Sequence, residues 1–241
     1  MKKGRITKYH IFLIVAFLAV WTWAAINPIY PHDWLLENYL VFIFIPIIIL
    51  SGIYFRLSKL SYTLITLFLI LHVIGSHYTY AEVPFGDVIK QWFNADRNMY
   101  DRLVHFCFGL LIAYPVREVF IRITRAKGLW GYYLPIELTM AFSMIYELIE
   151  WLTALAVNPE AGLAFLGSQG DVWDAQKDMA MATLGSIVSM FIIFMINLFL
   201  NKSFWSELKN SFKIPKDDEP LGEVKLEQMI KEKYHSKSTK H

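Results

Sequence analysis

The sequence predicts an all-α fold, a polytopic membrane helix bundle with about six transmembrane helices, and three observations carry the prediction. Apolar residues fall in blocks of roughly 20, the length an α-helix needs to cross hydrocarbon. Hydrophobic residues make up 56% of the 241 and charged residues only 18%, where a water-soluble chain carries about a quarter. Lys and Arg gather in alternate connections between the blocks, as the inside loops of a membrane protein do. A water-soluble core cannot absorb so many apolar blocks.

The first span runs from about Tyr9 to Ile26, behind Lys2, Lys3, Arg5 and Lys8. A signal peptide shares those features, with Thr22-Trp23-Ala24 as a cleavage site, but the length of the block and its Trp21 and Trp23 favour a retained helix. The second span covers about Leu36 to Tyr54 and the third about Leu60 to Tyr80. The fourth runs from Asp101 to about Phe120, the fifth from Tyr132 to Val157 and the sixth from Met179 to Leu200. Residues 1–200 thus form the bundle. Residues 201–241 read as a cytosolic, mostly disordered Lys/Glu-rich tail, with one short amphipathic helix around Val224 to Tyr234.

One side of the membrane receives Arg56, Lys59, Arg117, Arg122, Arg125, Lys127 and both basic ends of the chain. The other receives only Lys90, Arg97, Arg102 and Lys177. Both termini are therefore expected in the cytoplasm of a bacterium, with the bundle in the cytoplasmic (inner) membrane. Trp34, Trp92, Trp151 and Trp173 then fall at the outer interface, and Trp130 and Trp205 at the inner one. The Lys-rich ends follow from this topology, and no nucleic-acid partner is expected. The single cysteine, Cys107, excludes an internal disulfide and a cysteine-based metal cluster.

Ionisable groups inside a span cost at least ~2.5–3.5 kcal/mol at a helix centre, so each needs a reason. His72 and His77 lie toward the outer end of the third span, and Asp101 and His105 share a face of the fourth. Glu147 and Glu150 lie one or two turns below the outer end of the fifth. Asp171, Asp174 and Asp178, spaced three and four apart, make one stripe at the start of the sixth. All fall within roughly 10 Å of the same bilayer surface at ~1.5 Å of rise per residue.

Carboxylates with imidazoles and no thiolate suit divalent Mg, Mn, Fe or Zn. Asp171, Asp174, Asp178, Glu147, Glu150, His105 and His72 are the candidate metal ligands. Glu147, Glu150 and His105 are the candidate catalytic acid/base groups. Plainer roles compete. Asp171 and Asp174 follow Gly170 at a helix start, where acids cap free N–H groups. Asp101 can pair with Arg97 or Arg102, and Glu118 with Arg122. Ala182, Gly185, Ser186 and Ser189 continue the acidic stripe with small residues that let helices approach closely, placing the sixth helix at the bundle centre.

The run Gly170-Asp171-Val172-Trp173-Asp174-Ala175-Gln176-Lys177-Asp178-Met179 resembles the signature of the YjdF-like bacterial inner-membrane proteins. Tyr100-Asp101-Arg102-Leu103-Val104-His105-Phe106, Arg117-Glu118 and Tyr146-Glu147-Leu148-Ile149-Glu150-Trp151 resemble it too, so that the likeness covers residues 10 to 200. It implies the membrane class and brings no activity with it. Asp178 to Ser189 is similar, over a shorter stretch, to the last-helix motif of VanZ-like proteins, with Ala182 where that motif has Asn. This points toward the cell envelope.

The leading expectation is a membrane-embedded, metal-dependent enzyme acting on a lipid or cell-envelope molecule at the outer face, with membrane lipids as its surroundings. The alternatives are an ion- or proton-coupled carrier and a noncatalytic membrane partner or scaffold. No His-Glu-x-x-His string and no serine or cysteine nucleophile motif is present.

Overall fold

A computed structural model describes residues 6–157, 162, 165–214 and 221–238. Among these residues, six helices are long and apolar enough to cross a membrane. They are α1 (Lys8–Ala25), α2 (Pro31–Tyr54), α3 (Lys59–His77), α5 (Tyr100–Val119, continued by a π-helical turn to Thr124), α6 (Trp130–Ala156) and α7 (Asp174–Leu200). A short α4 (Pro84–Phe93) precedes α5, and α8 (Phe204–Lys209) and α9 (Leu221–Ser238) follow α7. Among the described residues there is no strand, so the all-α membrane bundle read from the sequence is the fold.

Two spans begin earlier than their apolar blocks. Pro31 starts α2 five residues before Leu36, because a proline at the first helical position sacrifices no hydrogen bond there. That start puts Glu37 and Asn38 inside the helix. Asp174 starts α7, where a carboxylate complements the N-terminal dipole. Helix α4 was not anticipated, although Pro84 at its start and Phe85, Val88, Ile89 and Trp92 on one face mark it. Trp92 and Phe93 are among its most exposed residues, as in a helix lying along a membrane interface.

The centre of the bundle is the α5–α7 pair. A Cβ on Gly109 would come within 1.9 Å of the Ala182 carbonyl oxygen, and one on Gly185 within 2.0 Å of that of Phe106. Ala182 and Ser186 are wholly buried at this seam. In lipid, where no hydrophobic force drives helices together, such close backbone approach is the main source of packing energy. Helix α3 packs on the other side of α5, α1 on α3, and α6 on α5 and α7. Helix α2 touches α3 and leaves an open cleft toward α6.

Polar ties hold the periphery. Trp21 Nε1 donates to Asn38 Oδ1 at 2.8 Å, and His77 Nδ1 lies 3.0 Å from the Ala24 carbonyl, so α1 is integral to the bundle. Glu118 pairs with Arg122 at 2.7 Å, as its spacing implied, and also accepts from the Ser58 amide and Ser61 Oγ at the start of α3. Phe204 of α8 is buried beside Phe194. The segments 215–220 and 239–241 of the tail expected to be disordered lie outside the described residues. The chain thus has an acidic end, where α2, α5 and α7 begin, and a basic end, where α1, α3 and α6 begin.

Candidate functional site

The acidic end is organised by two arginines that the sequence reading counted as loop charges and as partners of Asp101 alone. Arg97 precedes α5 and Arg102 lies in its first turn. Both are buried. Arg102 reaches across the tight α5–α7 seam to Asp178 Oδ2 at 2.5 Å, Asp174 Oδ1 at 2.6 Å and Asp171 Oδ2 at 3.2 Å, and donates to the Asp174 carbonyl at 2.9 Å. Arg97 also pairs with Asp174, sits 3.4 Å from Asp101, and donates to the Gly167 and Ser168 carbonyls. A planar guanidinium fork can serve several carboxylates in this way, and a lysine cannot.

The α7 aspartates therefore divide. Asp171 is held by Lys177 at 2.7 Å and accepts from the Trp173 amide at 3.1 Å, and these bonds lower its carboxyl below the usual carboxylate range. Asp174 is engaged by both arginines. Asp171 thus accepts a backbone N–H at the start of α7, the capping role weighed for it, whereas Asp174 is taken up by the arginines. Asp178 has one oxygen on Arg102, but its Oδ1 is buried without a hydrogen-bond partner.

Asp178 also stands close to His105. Asp101, His105 and Asp178 offer ligand atoms that all lie within 4.8 Å of one another. His105 Nε2 stands 3.6 Å from Asp101 Oδ1 and 3.5 Å from Glu147 Oε1, and the latter is a second buried oxygen with no hydrogen-bond partner. These separations are too long for hydrogen bonds. They match the spacing of about 3.4 Å between two atoms that each bind one tetrahedral ion at ~2.1 Å. Glu150, a turn beyond Glu147, lies near Glu147 and lines the cleft.

His72 takes a different place. Its Nε2 lies 3.1 Å from the Glu37 carbonyl and its Nδ1 against the Tyr80 hydroxyl, so both ring nitrogens are engaged by the protein. The Glu37 carbonyl can only accept, so Nε2 is the donor and Nδ1 accepts from the Tyr80 hydroxyl. The neutral ring then carries its proton on Nε2. Glu37, missed in the sequence reading, is buried in α2 and accepts from Tyr146 at 2.7 Å. The sign of it was an acid and an amide, Glu37 and Asn38, one residue inside an apolar run.

Between α2, α3, α5 and α6 lies a cavity of about 350 Å³. Its polar wall at the acidic end is Glu37, His72, Tyr80, Asp101, His105 and Glu150, and the remainder is largely apolar. Carboxylates exceed cations here: among the described residues, Glu37, Glu147, Glu150 and Asp101 have no lysine or arginine of their own beyond the 3.4 Å approach of Arg97 to Asp101. Charges of one sign in low dielectric must be relieved by protons or by a bound cation.

Residues 9–198 match a family described as "Predicted membrane protein (DUF2238)". This chain belongs to the DUF2238 family. It is also 39% identical over 166 residues to "Inner membrane protein YjdF" of Escherichia coli (strain K12), covering 67% of this chain and 79% of that protein. The resemblance to YjdF-like proteins is thereby shown, and this DUF2238 member is a multi-pass inner-membrane protein. The shorter likeness to VanZ-like proteins has no counterpart in either match. No solved structure matches the chain. The matched region contains Arg97, Arg102, His105, Glu147 and Asp178, so the whole cluster lies within the family's extent.

Proposed function

We propose that this protein is a membrane-embedded, metal-dependent enzyme that acts on a lipid or cell-envelope molecule at the outer face of the inner membrane. The observation that carries the reading is His105 Nε2, set 3.6 Å from Asp101 and 3.5 Å from Glu147 beside two buried, unpartnered carboxylate oxygens. Asp101, His105 and Asp178 would hold the ion, with Glu147 beside His105. Mg, Mn, Fe and Zn all accept such oxygen and nitrogen donors. An ion there supplies Lewis-acid chemistry to a bound ester or phosphoester.

The chain's own residues do the rest. Arg97 and Arg102 fix the aspartates in place and leave Asp178 Oδ1 free for the ion. Glu150, at the edge of the cleft, can carry a proton to or from a substrate. His72 and Tyr80 position the α2–α3 wall. The charge distribution supports the outer face. Lys and Arg are sparse at the acidic end, where Arg97 and Arg102 are buried, whereas Lys59, Arg122, Arg125 and Lys127 gather at the basic end.

A carrier needs access from both sides, and the cluster occupies one end of the bundle while the seam beneath it is closed by Ala182 and Ser186. The test is elemental mass spectrometry on the purified, detergent-solubilised protein beside a His105→Gln, Glu147→Gln variant. Near-stoichiometric metal in the parent, lost in an equally folded variant, is the expected result. Absence of metal after incubation with Mg, Mn, Fe and Zn refutes the metal enzyme and returns the carrier reading to first place.

A further inference from the structure

The cleft between α2 and α6 is long, narrow and open sideways. Ile43 and Ile47 of α2 and Ile145 and Ile149 of α6 line it, and each of the four is also 45–61% exposed on the outside of the bundle. Its mouth therefore faces the hydrocarbon of the bilayer rather than water. From Glu37 to Ile47 the wall of α2 rises about 15 Å at ~1.5 Å per residue, which is half of a ~30 Å hydrocarbon core. The cleft is thus one leaflet deep, with its polar groups at the surface end.

Its width identifies the occupant. A volume of about 350 Å³ over about 15 Å gives a mean cross-section of about 23 Å². An α-helix, ~10–12 Å across, has roughly four times that section, so neither a partner helix nor a second copy of this chain fits. A water-soluble solute would find only the Ser143 hydroxyl along the apolar stretch of Phe68 and Phe108, deeper in the same cleft. One extended hydrocarbon chain meets the length, the section and the polarity together.

We propose that the α2–α6 cleft admits, laterally from the bilayer, a single hydrocarbon chain of a lipid from the leaflet at the acidic end, and so presents that lipid's headgroup to Asp101, His105 and Glu150. The lipid's role as substrate rests on the function proposed above, while the binding itself stands independently of it. A chain of a two-tailed phospholipid and the chain of a polyprenyl lipid share this chemistry. The headgroup lies level with the carboxylates, and the chain runs toward the bilayer centre past Phe108.

The full-length protein is reconstituted in nanodiscs of phosphatidylethanolamine and phosphatidylglycerol doped with a phosphatidylglycerol that carries a photoreactive diazirine in one acyl chain. Cross-links are mapped by peptide mass spectrometry. Labelling of Phe68 or Val104, both 4–5% exposed and out of reach of the surrounding lipid, is the expected result. Two variants narrow the cleft: Ile43→Trp at its exposed mouth and Ser143→Phe within it. Each should reduce the internal labelling at least five-fold and leave labelling of outward residues such as Phe12 and Phe191 unchanged. Labelling confined to outward residues in the parent overturns the proposal. Displacement of the internal label by added polyprenyl phosphate, but not by excess phospholipid, assigns the cleft to the polyprenyl source, and the converse to phospholipid. Metal analysis on the same samples separates the two readings. Metal without internal labelling leaves the metal enzyme standing and removes this cleft, and internal labelling without metal does the reverse.

Discussion

Removing the Arg102 guanidinium is the perturbation to which the acidic end should respond most. In Arg102→Ala, Asp178 loses its 2.5 Å partner and has no other ion-pair partner among the described residues. Asp174 keeps Arg97, and Asp171 keeps Lys177, so their losses are partial. The variant therefore isolates one buried carboxylate, and breaking a buried pair by deleting one partner costs about 3–5 kcal/mol. Summing the separate bonds of Arg102 would overstate the effect, because contacts in one network do not add. The compensated variant Arg102→Met, Asp178→Leu removes both charges at similar volume and should recover most of the loss, since such replacements run from neutral to stabilising by about 1–4 kcal/mol. Equilibrium unfolding in mixed dodecylmaltoside–dodecylsulfate micelles, followed by tryptophan fluorescence, reads both. A loss below about 1 kcal/mol in Arg102→Ala, or a double variant no more stable than Arg102→Met alone, would refute the ion-pair account of this seam.

Gly109→Ala places a methyl 1.9 Å from the Ala182 carbonyl and should destabilise the bundle by about 1–3 kcal/mol in the same assay, whereas Gly52→Ala, with nothing nearer than 3.5 Å, should not. Glu118→Ala removes the acceptor of the Ser58 amide and of Ser61 Oγ. It should cost about 1–3 kcal/mol and accelerate hydrogen exchange at the start of α3, a change that uniform exchange along α3 would contradict. In a Cys107→Ser background, Lys90→Cys should react with an impermeant maleimide in intact cells and Arg125→Cys only after permeabilisation. The opposite pattern would invert the proposed topology.

The spans were legible because hydrocarbon imposes a length on every apolar block, and no alternative fold satisfies their backbone groups. The joint placement of Glu147 with His105 was legible for a related reason. Both lie at one depth, and helical rise converts sequence position into depth. What the sequence hid was pairing across helices. Arg97 and Asp174 are 77 residues apart, and no periodicity links them. Arg97 and Arg102 sit where positive charges also mark topology, so the simpler account concealed their structural one. Glu37 escaped because the apolar run was taken to begin at Leu36, and the helix begins at Pro31. Depth was inferable, and azimuth was not. Asp171, Asp174 and Asp178 share a stripe, yet only Asp178 keeps a buried oxygen without a partner and groups with Asp101 and His105.

The seam and the site depend on each other. Gly109 and Gly185 bring the backbones of α5 and α7 together about two turns below Arg102 and Asp178. At that separation a guanidinium spans the gap and meets three successive aspartates on one face. A wider seam would leave those carboxylates to find neutralisation from water or from any available cation, and their positions would be unspecified. With the arginines in place, Asp171 and Asp174 are committed, and the carboxylates left over, Glu37, Glu147 and Glu150, stand on the side of α5 toward α2 and α6. That side holds His105, Glu147 and the mouth of the cleft. The small residues of α7, read first as packing, thus decide which carboxylates the arginines neutralise.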